Sequence, residues 1–136
     1  MVDTKFSVSV HLMTSLAFNL DRLMSSDELA TGIKTNPSFV RKLIVHLSGA
    51  GLIESVRGKT GGVRLAKAPK EITLDKIYEA VAEHKVICVP EKTPYKPCPV
   101  SCAMGGILNR ISDNIEQTTR EQLSKTSLED LMIEIK

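Results

Sequence analysis

The chain has 136 residues, 42% of them apolar, only 4% aromatic and none tryptophan, which allows one domain, or one domain with an appendage, around an aliphatic core. No apolar run approaches the ~20 residues of a membrane span, the opening MVDTKFSVSV lacks the basic and apolar regions of a secretion signal, and three cysteines, an odd number, argue for a reducing compartment; the expected setting is the cytoplasm, with no membrane partner. The net charge of +2 conceals a division: residues 34–70 hold eight Lys or Arg against the single acid Glu54, a local +7, so the rest carries −5, which is a footprint for nucleic acid rather than an even surface.

In chain order, Val8, Leu12, Leu16 and Leu20, with Met13 and Ala17 beside them, recur at helical spacing and predict a first helix. Ser25 and Glu28 fit a capping box for a short second helix with Leu29, Ala30 and Ile33 on its buried side, ended by Gly32 and the polar Lys34-Thr35-Asn36. Asn36 as cap and Pro37 at the first helical position restart the chain as a third helix. Val40, Leu43, Ile44 and Leu47 fall on one face of it, and Gly49 and Gly51 stop it. Two helices joined by a tight polar turn make a helix-turn-helix. At ~100° per residue the opposite face of the third helix carries Ser38, Arg41, Lys42 and Val45, with Phe39 and His46 at its edges.

The next stretch, SVRGKTGGVRL, contains Gly58-Lys59-Thr60, the ending of a phosphate-binding loop. That loop needs a glycine five residues before its last one and must run into a helix. Position 53 is Ile53, and Val63-Arg64-Leu65 alternates like a strand, so both requirements fail. The stretch reads instead as a hairpin whose Gly61-Gly62 pair makes the turn. A basic hairpin directly after a helix-turn-helix is a wing, with Arg57, Lys59, Thr60, Gly61, Gly62 and Arg64 facing phosphates or a minor groove. Ser38 and Arg41 are the candidate base readers, Lys42 a phosphate contact, and Phe39 a contact shared with the core.

Thr73 can cap a fourth helix striped by Leu74, Ile77, Tyr78 and Val81, fading near Lys85. Residues 86–100 hold four prolines and predict a loop. A long helical pattern resumes near Ala103 with Met104, Leu108, Ile111, Ile115 and Leu123, and Ser127 caps a last helix bearing Leu128, Leu131, Met132 and Ile135. The expected organisation is mainly α with a small β-hairpin wing: a winged helix-turn-helix over 1–83, a Pro- and Cys-containing sensor loop over 84–102, and a dimerisation helix with a C-terminal helix over 103–136. His11, His46 and His84 lie far apart and no nucleophile–base or paired-carboxylate pattern stands out, so no enzyme is expected.

From SSDELATGI through NPSFVRKLIVHLSGAGLIESVRGKTGGVRLAKAPKEITLDKIYEAV the chain resembles the Rrf2 family of bacterial transcription regulators, and AGLIESVRGKTGGVRLAKAPKEITL is the most specific part. The resemblance implies a homodimer with a long dimerising helix, a palindromic double-stranded operator and repression. It also implies, for many members, an iron–sulfur cluster held by three cysteines before the long helix. Here the corresponding residues are Cys88, Cys98 and Cys102, with gaps of nine and three residues, and His84 as a candidate fourth ligand. Three readings of these cysteines stand open: redox thiols near a helix start, a cluster or zinc site, and small buried hydrophobes, a role expected most for Cys88 after Val86-Ile87. The functional expectation is a sequence-specific DNA-binding repressor whose dimer senses redox or electrophile stress through loop cysteines. The alternatives are a cluster-sensing regulator of the same fold and a winged-helix protein-interaction module without DNA binding.

Overall fold

The computed structural model describes residues 3–135; Met1, Val2 and Lys136, the extremes of the expected 1–83 and 103–136 segments, lie outside them. Six helices and one hairpin follow in the order α1 (Lys5–Phe18), α2 (Ser26–Ile33), α3 (Pro37–Gly49), β1 (Ile53–Val56), β2 (Gly62–Leu65), α4 (Leu74–Val81), α5 (Pro99–Leu123) and α6 (Leu128–Glu134), with a single 3-10 turn at Pro69–Glu71 before α4.

The apolar faces of α1, α2, α3, α4 and α6 meet in one aliphatic core. Leu12, Leu16, Leu29, Val40, Leu43, Leu47, Leu52, Ile77 and Leu128 are nearly or wholly buried there, and each such side chain contributes roughly 1.5–3 kcal/mol of burial. Leu20 departs from its expected place: α1 stops at Phe18 and Leu20 is exposed. At the other end of the chain α6 packs back on α1 and on the Pro69–Glu71 turn. A full capping box of Ser127 and Asp130 starts α6, and Leu128 N–H donates to the Ile72 carbonyl. Ile135 lies beyond α6 and is exposed.

The helix ends explain the turns. Ser25 accepts from the Glu28 N–H at 3.1 Å, but the Glu28 carboxylate does not reach back to complete the box; it forms two bonds, 2.6 and 3.0 Å, to the Arg22 guanidinium. The hydrogen bond from Arg22 holds the Glu28 carboxyl below its ordinary range. Gly32 remains inside α2, and Lys34 takes the left-handed conformation (φ 63°) that ends it, with Thr35 N–H bonded to the Ala30 carbonyl. At the end of α3 the same device uses Gly51 (φ 77°), with Leu52 N–H on the Leu47 carbonyl. Gly49 is helical. Thr73 stands at the N-cap position of α4 yet donates its hydroxyl to Asp75 and caps no backbone group.

Two boundaries fall earlier than the pattern suggested. α4 ends at Val81, because Ala82 turns extended and the chain leaves to run against α5. α5 begins at Pro99, not near Ala103, since a proline at the first helical position gives up an N–H that has no partner in any case.

Candidate nucleic-acid interface

α3 starts on a fixed geometry: Asn36 accepts from the Ser38 N–H at 2.7 Å and Pro37 sets the first turn. With Val40, Leu43 and Leu47 buried, Ser38, Arg41, Lys42, Val45 and His46 are left exposed on the far side, and Phe39 is half-buried against the core. The Ser38 hydroxyl accepts from Arg41 Nη2 at 3.2 Å, which steadies the guanidinium while leaving its other donors free.

β1 and β2 pair antiparallel in the register Ile53↔Leu65, Glu54↔Arg64, Ser55↔Val63, Val56↔Gly62. Arg57, Gly58, Lys59 and Thr60 form the exposed tip. The tip turns at Gly58 (φ 117°), not at the Gly61-Gly62 pair. Those two glycines serve close approach: a Cβ at Gly61 would lie 2.1 Å from the Val56 carbonyl oxygen, and one at Gly62 would lie 2.6 Å from that of Met24. The second contact exists because Met24 and Val63 exchange both backbone hydrogen bonds, 2.8 and 3.0 Å, tying the wing to the segment before α2. Arg64 is drawn into the hairpin itself: its Nε donates to Glu54 Oε1 at 2.6 Å. Arg41, Lys42, Arg57 and Lys59 have no carboxylate partner among the described residues.

The cysteines do not come together. Cys98 occupies the N-cap of α5, its sulfur accepting from the Ser101 N–H at 3.4 Å. Cys102 lies one turn on inside α5, near the Tyr95 and Lys96 carbonyls. Cys88 is exposed, contrary to the burial expected of it: only the backbone of Val86 and Ile87 is bonded to α5, and the Val86 side chain is exposed as well. His84 faces Asp3 and the Lys85 carbonyl. Among the described residues no three Cys, His, Asp or Glu side chains form a ligand group. As placed in one chain, the three thiols therefore do not fit an iron–sulfur cluster.

A polar joint links this segment to the winged helix. Glu116, on the inner face of α5, is only 9% exposed. It accepts from the Val86 N–H at 3.0 Å and the Tyr78 hydroxyl at 3.1 Å, with Arg120 Nε 3.5 Å away. Burial opposes the charge on Glu116, but those three donors outweigh it and its carboxyl lies below the ordinary range. Burial and the adjacent Glu116 push the Tyr78 phenol up. Ser112, one turn earlier, donates to the Ile87 carbonyl at 2.7 Å, and Arg120 stacks 5.5 Å from the centre of the Tyr78 ring. Sequence reasoning missed this joint; its one signal was a Ser and a Glu four residues apart in a helix whose apolar stripe runs elsewhere. Of that stripe Met104 and Ile111, with Ile107 beside them, are each about two-fifths exposed, whereas Leu108, Ile115 and Leu123 are half-buried.

A helix-turn-helix with free cations on its outer helix and on a tethered hairpin defines the winged-helix class of DNA-binding transcription regulators. The family model for Rrf2, described as an iron-dependent transcriptional regulator, matches residues 2–134. Among relatives, the HTH-type regulator YwnA of Bacillus subtilis is 27% identical over 132 residues, covering 97% of both chains. The HTH-type transcriptional regulator NsrR of Halalkalibacterium halodurans is 31% identical over 104 residues, covering 74% of this chain and 71% of its own. A transcriptional regulator structure from Lactobacillus plantarum superposes with a TM-score of 0.81 over 97% of this chain and 89% of that one; at 23% identity it speaks for the fold. The chain belongs to the Rrf2 family of transcription regulators. No helix of the described residues is long and apolar enough to cross a membrane.

Proposed function

We propose that the chain is a cytoplasmic homodimeric repressor that reads a palindromic duplex operator with α3 and grips the backbone with its wing. The observation that carries this reading is the set of exposed cations, Arg41, Lys42, Arg57 and Lys59, left unpaired in a protein that pairs Arg22, Arg64 and Arg120 with its own carboxylates. Ser38 and Arg41 contact bases, with Arg41 suited to a guanine edge. Lys42, Arg57, Lys59 and Thr60 meet phosphates, Phe39 supports the helix from its edge, and Gly61 and Gly62 let the wing lie close. Arg64 contributes less than the notional full charge, because Glu54 already holds it. Selection from randomised duplex DNA tests the base reading: Arg41→Ala should relax preference at one position per half-site, and an unchanged selected sequence would remove Arg41 from it.

In this reading, 1–83 supply the DNA-binding unit, 84–102 the sensor segment, and 103–136 the dimerising helix and its return; α5's apolar stripe is the face that a second copy covers. Cys98 and Cys102, close to the start of α5, and Cys88, exposed at the far end of the segment, are the sensing thiols. A peroxide transfers one oxygen to a thiolate among them, giving a sulfenic acid as the O–O bond breaks and the rest of the peroxide leaves, protonated, as water or an alcohol; the change shifts the dimer so that DNA is released. A Cys98→Ser variant should hold DNA through oxidant treatment that releases the wild type; full sensitivity in the variant would take Cys98 out of the switch. The iron dependence in the family's description favours a second reading, with Cys88, Cys98 and Cys102 as cluster ligands. The spread of the thiols stands against it, and the visible spectrum and iron content of protein purified without oxygen decide between the two.

A further inference from the structure

We propose that Val45 is a specificity-determining residue that reads the C5-methyl group of a thymine in each half-site. The inference rests on α3 being the helix that enters the major groove. At ~100° per residue, Val45 lies about 20° from the direction of Ser38, between Arg41 on one side and Lys42 on the other. It is the centre of the outward face rather than its edge. It is also 69% exposed, among the most exposed large apolar residues described.

An apolar β-branched side chain in the middle of a cationic face has a narrow choice of partners. Valine carries neither donor nor acceptor, so it can read no hydrogen-bonding edge. Of the groups displayed in the major groove, only the thymine methyl is apolar. Arg41 and Lys42 on its two flanks favour a polyanion over an apolar protein surface as the occupant. Val45 follows Arg41 by four residues, or ~6 Å along the helix axis, which places its thymine within roughly two base-pair steps of the base that Arg41 reads.

The test uses the full chain and duplexes recovered from a randomised library by binding to the wild-type protein. Each thymine of the recovered site is replaced singly by deoxyuridine, which lacks only the methyl, and affinity is measured by fluorescence anisotropy. One thymine per half-site should show a loss of about fourfold, the value for one buried methyl-sized group. In Val45→Ala, which alters an exposed position and folds normally by circular dichroism, that loss should vanish while those at other thymines persist. Equal binding of thymine and deoxyuridine at every position, a recovered site without thymine, or a penalty that survives in Val45→Ala would overturn the assignment. A Val45→Ala variant that changes oligomeric state but keeps the thymine preference would overturn it too, in favour of a protein contact. A recovered pool that stays random would instead bring down the base-reading role of α3 itself, and Val45 with it.

Discussion

Gly62 fixes the wing by what it lacks. Its neighbour Val63 forms a two-way backbone bridge with Met24, and a Cβ at Gly62 would stand 2.6 Å from the Met24 carbonyl oxygen. That oxygen is backbone and cannot swing aside, so Gly62→Ala should cost about 1–3 kcal/mol of stability through forced displacement. It should also weaken DNA binding by loosening the wing. Urea unfolding of the variant checks the first part; a midpoint equal to that of the wild type would show that the bridge is not tight. The two glycines were legible in the sequence as wing residues, but their work was not. A turn and a close approach both ask for glycine, and only the backbone angles separate Gly58, which turns, from Gly61 and Gly62, which make room. The ion pair of Arg64 was hidden from the sequence for a related reason. Its partner Glu54 lies ten residues away in sequence and directly opposite only once the hairpin register is set.

At the scale of elements, α5 has two faces with different tasks. The apolar stripe was visible as a helical period, and so was its length. The inner face was not, because a serine and a glutamate among polar neighbours read as solvated. Glu116 binds both the Val86 amide and the Tyr78 hydroxyl, so it pins the start of the cysteine-bearing segment to α4 and through it to the winged helix. Its carboxyl titrates below the ordinary 4.5 in the folded state. A lowered folded pKa stabilises above the unfolded value and is lost as pH falls through the folded one. Glu116→Gln keeps the acceptor oxygen but loses the charge facing Arg120. At neutral pH it should therefore be less stable by about 1 kcal/mol. The gap to the wild type should narrow in acid, as pH falls through the lowered folded pKa and the wild-type carboxyl is protonated as well. Denaturant midpoints at the two pH values measure this, and a gap that is the same at both would mean that the charge of Glu116 does not contribute. The early start of α5 was hidden by its prolines: four of them in residues 86–100 marked a loop, and Pro99 proved to be the one that begins a helix.

For the whole molecule, the exposed part of the α5 stripe and the free cations of α3 and the wing would serve together in the proposed homodimer. A single small winged helix offers few contacts, whereas two copies related by a dyad address two half-sites together. Ile111 is 42% exposed in the single chain, so Ile111→Asp should leave the fold intact, convert the dimer to a monomer in light-scattering measurements, and sharply reduce operator affinity. A variant that remains dimeric would place the dyad elsewhere. The local +7 of residues 34–70 was legible from composition alone; which of those charges remain free became clear only with the ion pairs in place. The most direct measurement is the salt dependence of binding to a mixed-sequence duplex, for the wild type and for Lys59→Ala. Affinity should fall steeply with salt in both, and the logarithmic slope should be smaller in the variant by about one per bound subunit, about two for the proposed homodimer, one phosphate contact having been removed from each wing. Affinity indifferent to salt, or identical slopes in the two proteins, would contradict a wing that grips the DNA backbone.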